Sequence, residues 1–89
     1  MLELPLKIIN ELGLHARAAS SFVQLASRFQ SDIKVTLRGN TINGKSILGL
    51  MMLEATQGSV ITLRVEGPDE AQAVKALSSL INHSFGEES

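Results

Sequence analysis

MLELPLKIINELGLHARAASSFVQLA, residues 1–26, changes its hydrophobic period once, and that change decides the class of fold. Leu2, Leu4, Leu6 and Ile8 alternate with Glu3, Pro5 and Lys7, the two-residue repeat of a strand with one buried face. Pro5 has no amide proton for a neighbouring strand, so this strand is expected at a sheet edge. Beyond Gly13 the spacing becomes i, i+3, i+4, i+7 through Ala19, Phe22, Val23 and Ala26, the stripe of a helix over 16–29.

The same two periods recur downstream. Ile33, Val35 and Leu37 alternate over 32–38, Gly39-Asn40 reads as a tight turn, and Thr41 to Asn43 forms a short return strand. Ser46 is a helix N-cap in front of the apolar block ILGLMML, and Gly58 separates that block from a strand through Ile61, Leu63 and Val65. After Gly67-Pro68, Asp69 and Glu70 suit the positive end of a last helix whose stripe is Ala73, Val74, Leu77, Leu80 and Ile81. The tail FGEES is polar and is expected to fray. The order β-α-β-β-α-β-α gives every strand one apolar face and every helix one apolar stripe. Its economical solution is an α+β two-layer sandwich, an antiparallel sheet with helices on one side.

Eighty-nine residues suit a single domain, residues 1–89, with an aliphatic core, since 44% of the chain is hydrophobic and its only aromatics are three Phe. A net charge of −1 argues against general nucleic-acid binding, which needs cations to neutralise phosphates. The absence of cysteine excludes a disulfide framework and thiolate metal sites and suits a reducing compartment. MLELPLKII lacks the apolar core of a signal peptide, and no apolar run approaches the roughly 20 residues that span a bilayer. A cytoplasmic domain without membrane insertion is expected.

His15 falls where a strand has ended and a helix begins. The first amides of a helix lack intrahelical acceptors and carry partial positive charge. An anion held there would meet the amides of Ala16 and Arg17 and the Arg17 guanidinium, whose planar fork matches phosphate. Gly13 allows the chain to turn the imidazole outward. A nucleophilic ring beside an anion cradle suggests transient phosphorylation on nitrogen. A capping histidine beside a solvated arginine fits the same residues, and spacing alone leaves both readings open.

Three other features compete for attention. GNTINGKS, residues 39–46, formally matches the phosphate-binding pattern GxxxxGKS, but the flanking elements are short and a hairpin followed by an N-cap explains it as well. His83 has no second His at i±4 and no clustered carboxylates, so it reads as a solvated residue at a helix end, and neither a metal nor a cofactor is expected. The ILGLMML helix is apolar nearly all round. Leu50 and Leu53, with Ile47 in part, are expected to face the sheet, leaving Leu48, Met51 and Met52 as an exposed docking patch unless the core closes over them.

GLHARAA at 13–19 and NGKSILGLMML at 43–53, at this spacing and in this element order, closely resemble the HPr family. These are the histidine-containing phosphocarriers of the phosphoenolpyruvate-dependent phosphotransferase system, and the resemblance runs over essentially the whole chain. It implies a four-stranded sheet in order 1-4-2-3 with three helices on one face. It implies that His15 is phosphorylated on Nδ1 with Arg17 stabilising the phosphoryl group. Enzyme I would be the donor and an enzyme IIA the acceptor, with no catalysis by the carrier alone and a monomer as the working form. Ser46 matches the serine that an ATP-dependent HPr kinase/phosphorylase modifies in many members, and Ile47, Leu48 and Met51 would meet the partners. The serine motif is similar to the kinase-regulated, sugar-transporting members, whereas LINHSFGEES is similar to the nitrogen-related paralogue. The family usually has Pro where this chain has Ala18, which restores an amide and loosens the helix start by up to about 1 kcal/mol.

Overall fold

The alternating segments form strands and the periodic ones helices. The computed structural model describes residues 1–86, in the order β1 (Leu2–Lys7), α1 (Ala16–Ala26), β2 (Asp32–Leu37), β3 (Asn40–Asn43), α2 (Ile47–Met52), β4 (Val60–Glu66) and α3 (Glu70–Asn82), then a tight turn at Ser84–Gly86. The sheet is four-stranded and antiparallel, in the order β1-β4-β2-β3. Pro5 lies opposite Thr62 on the edge strand, where its missing amide costs no ladder bond.

Register explains the core. Leu4, Leu63, Val35 and Ile42 lie opposite one another across the four strands, and Leu2, Val65 and Ile33 form the next row on the same face. Ile33, Val35, Ile61, Leu63 and Val65 are buried there against Ala19, Phe22 and Ala26 of α1, Leu50 of α2, and Ala73, Leu77 and Ile81 of α3. Along β1 the burial is graded: Leu2 is exposed at the start, Leu6 is buried near the end, and Ile8 just beyond the strand is fully buried. The opposite face carries Thr36, Thr41, Thr62, Lys34 and Arg64, and the Thr36 and Thr41 hydroxyls lie 2.7 Å apart across their strands.

Three boundaries differ from the sequence expectation. The β2–β3 turn is Arg38-Gly39 rather than Gly39-Asn40, with φ of +51° and +82°. Leu37 pairs directly with Asn40, and two consecutive left-handed residues match the right-handed twist of a two-residue hairpin. Helix α1 stops at Ala26 instead of 29, because the Arg28 and Phe29 amides bond to Leu25 and Ala26 and tighten the chain into turns. The Lys45 ammonium then takes the Phe29 carbonyl at 2.7 Å. Within the segment expected to fray, Phe85 is instead buried in the core at φ +57°, and residues 87–89 lie outside the described residues.

Asp69 stands at the positive end of α3, as expected, and makes a further connection. It occupies the N-cap position of α3 yet makes no side-chain bond to its own helix. Its carboxylate instead accepts the Gln30 amide at 2.9 Å, the Ser31 amide at 3.0 Å and the Ser31 hydroxyl. That clasp ties the α1–β2 connection to α3, and the Ser31 hydroxyl, followed by the Gln30 amide, lowers the carboxyl's pKa. Glu70 is lowered too, first by the Met1 ammonium 2.8 Å away and then by the Gly67 amide.

Candidate functional site at the start of the first helix

His15 is the N-cap residue of α1, with extended backbone angles of −79° and −179°, and its imidazole does not cap the helix. Its carbonyl accepts the Ala19 amide at 2.9 Å, so the residue belongs to the helix through its backbone. His15 is half-buried, and Ala16 and Arg17 are exposed. The first turn holds no acidic side chain to neutralise its positive end. A half-buried histidine at the N-cap, a first turn without acidic side chains and an exposed arginine thus come together within three residues.

The chain before His15 is held from several sides. Gly13 has φ +67°, and a Cβ there would collide with the Ala55 carbonyl and crowd the Thr56 Cα at 3.0 Å. Both the left-handed angle and the close approach require glycine. The following amide, Leu14, donates to that Ala55 carbonyl at 2.9 Å, and the Leu14 side chain is buried. Inside the loop, Asn10 is fully buried and donates from Nδ2 to the Gly13 carbonyl at 2.8 Å. Sequence reasoning passed over Asn10; the available signal was an Asn three residues before a glycine, the mark of a side-chain-closed turn.

The second group of residues sits on α2, which packs against α1. The Ser46 hydroxyl accepts the Gly49 amide at 3.0 Å, as an N-cap should. Gly49 lets this turn lie close to β3, since a Cβ would be 3.3 Å from that of Ile42. The helix buries Leu50 and, just past its end, Leu53. Ile47 (42% exposed), Leu48 (68%), Met51 (39%) and Met52 (70%) remain at the surface, Ile47 more fully than expected. The two groups are linked through the end of α2, because Ala55 is the residue that receives the Leu14 amide. Ser46 lies at the other end, six helical residues away, or about 9 Å along the axis.

The remaining motifs resolve into structure. In GNTINGKS the spacer between the glycines is strand β3 itself, paired with Lys34–Leu37, and Lys45 is engaged with Phe29, so the segment forms a hairpin and a cap rather than a phosphate cradle. His83 is the C-cap of α3, exposed, its Nδ1 2.7 Å from the Ser79 carbonyl. Among the described residues no group of three His, Asp or Glu side chains is arranged to hold a metal, and no helix is long and apolar enough to cross a membrane.

This geometry coincides with a family pattern. The family model described as the PTS HPr component phosphorylation site matches residues 2–83. The chain belongs to the HPr family. The phosphocarrier protein HPr of Neisseria meningitidis serogroup A is 55% identical over 87 residues, covering 98% of each chain. The crystal structure of HPr-C-His from Thermoanaerobacter tengcongensis superposes with a TM-score of 0.96 at 49% identity, covering all of both chains. A structure of an HPr dimer from the same organism matches at a TM-score of 0.79 and 49% identity, over 98% of this chain and 100% of that one. The sheet order and helix placement are those of HPr, and the protein is a phosphocarrier of the phosphotransferase system rather than a catalyst.

Proposed function

We propose that His15 is the residue that carries the phosphoryl group, accepting it from phospho-enzyme I and passing it to an enzyme IIA. The observation that carries this reading is the N-cap geometry: a half-buried histidine at the start of α1, whose imidazole does not cap the helix, beside an exposed arginine. On acceptance the His15 Nδ1 lone pair attacks phosphorus and the donor's nitrogen–phosphorus bond breaks. On donation the acceptor's nitrogen attacks phosphorus and the His15 Nδ1–phosphorus bond breaks, the ring proton staying on Nε2 throughout. The ring must therefore be neutral when it accepts and becomes the leaving group when it donates. Arg17 binds the phosphoryl oxygens as charge shifts between the two nitrogens. The whole chain, residues 1–89, acts as one carrier unit in the cytoplasm.

Ser46 is proposed as the regulatory site, modified by an HPr kinase/phosphorylase, with Ile47, Leu48 and Met51 as the surface that meets enzyme I and enzyme IIA. Their exposure on a helix one side of which is buried supports this. The working form is proposed to be a monomer. Sedimentation at micromolar concentration should give a single-chain mass of 9.6 kDa, and a stable two-chain species would contradict it.

The test of the carrier reading is phosphoenolpyruvate-dependent labelling through enzyme I. His15→Ala should take no label and melt as the native protein does, since a half-exposed ring contributes little to the core. Undiminished labelling of that variant would refute the assignment.

A further inference from the structure

Asn10 is the largest fully buried polar side chain among the described residues, and it lies in the loop that leads to His15. Its Nδ2 donates to the Gly13 carbonyl at 2.8 Å, and its backbone carbonyl accepts the Gly13 amide at 3.1 Å. Gly13 is thus gripped by one residue at both its amide and its carbonyl. Gly13 is itself buried, at a backbone angle with little steric restraint of its own. The next residue, Leu14, is fixed by burial and by its bond to Ala55. The orientation of the Gly13–Leu14 peptide then determines where the chain delivers His15, and the Asn10 amide holds the oxygen of that peptide.

A turn stabilised by an exposed asparagine would need none of this burial. Enclosing a primary amide and matching its donor to a carbonyl fixes a geometry, because an unmatched polar group there would be costly. Phosphoryl transfer is sensitive to such fixing, since the attacking nitrogen must lie in line with the leaving nitrogen.

Resting on the reading of His15 as the carrier residue, we infer that Asn10 is a positioning residue for phosphoryl transfer. Its side-chain amide sets the Gly13–Leu14 peptide and, through it, the approach of the His15 imidazole to phosphorus. Asn10 touches no reacting atom in this role; it acts through the backbone.

Asn10→Asp keeps the size and one oxygen of the side chain but loses the Nδ2 donor. Transfer from phospho-enzyme I, measured by rapid quench over a range of carrier concentrations, should show kcat reduced about ten-fold or more with KM nearly unchanged. An unchanged kcat, or a rise in KM alone, would overturn the inference. A folding defect in that variant does not remove the test, because the native protein supplies a second readout. By nuclear magnetic resonance, one Asn10 Nδ2 proton should be protected from solvent exchange and should shift when His15 is phosphorylated. Exchange as fast as that of a surface asparagine, or no shift on phosphorylation, would overturn it equally. Failure of the carrier reading looks different: the native protein would then take no label from phospho-enzyme I.

Discussion

Arg17 is exposed at the start of a helix whose own first turn carries no acidic side chain, a setting that suits an arriving anion. Hydrogen bonds to a charged group contribute about 1.5–3 kcal/mol. If that interaction is strongest during transfer, Arg17→Ala should slow it roughly ten- to a hundred-fold. Arg17→Lys should recover only part of the rate, because an ammonium offers a point charge in place of the two-pronged fork. Single-turnover transfer from phospho-enzyme I measures all three, and equal rates would mean that Arg17 is merely solvated. At this scale His15, Arg17 and Gly13 were legible in the sequence, because a helix start announces itself by its change of period. Asn10 was not, because it is buried in a loop whose flanks are bonded to residues more than forty positions downstream: the Leu14 amide to the Ala55 carbonyl, and the Ile8 carbonyl to the Gly58 amide.

Helix α2 is an element of six residues, too short to persist without its cap and its buried Leu50. Ser46→Ala should therefore cost about 0.5–2 kcal/mol of stability, read from a denaturant midpoint. A phosphate at Ser46 adds about −1.5 to −2 charge at the same amides, where it is tolerated, while placing that charge at the rim of the Leu48 and Met51 surface. Ser46→Asp should mimic it weakly, raising the apparent KM for enzyme I more than it lowers the melting temperature. Unfolding by that substitution, or unaltered affinity, would leave Ser46 as a cap alone. The elements themselves followed from periodicity, and every expected strand and helix is present. Their ends did not, because tertiary bonds decide them. Lys45 holding the Phe29 carbonyl and Asp69 holding Gln30 and Ser31 end α1 early, and the Leu37–Asn40 pairing moves the hairpin turn back by one residue.

For the molecule as a whole, the Asp69 clasp joins the α1–β2 connection to α3, and its ionisation is coupled to folding. The folded pKa is below the unfolded value of about 3.9, so the clasp's contribution is fully present above that value. It is lost as pH falls through the lower, folded pKa. Melting temperatures should accordingly decline below about pH 4, and Asp69→Asn should flatten part of that decline. Glu70, shifted the same way, keeps the remainder, whereas an unchanged acid limb would show that the clasp contributes nothing. The two-layer architecture was legible because alternation assigns each strand a buried face; the clasp was not, since Asp69 reads locally as an ordinary helix cap. The same layered frame holds the start of α1 and the end of α2 together, and through this junction it would present His15 for phosphoryl transfer. The most direct test is nitrogen–phosphorus correlation by nuclear magnetic resonance on the uniformly labelled native protein after incubation with enzyme I and phosphoenolpyruvate. A single phosphorus coupled to His15 Nδ1, lost in acid and stable in base, is the predicted result; phosphorus on His83, on a hydroxyl, or on no residue at all would contradict it.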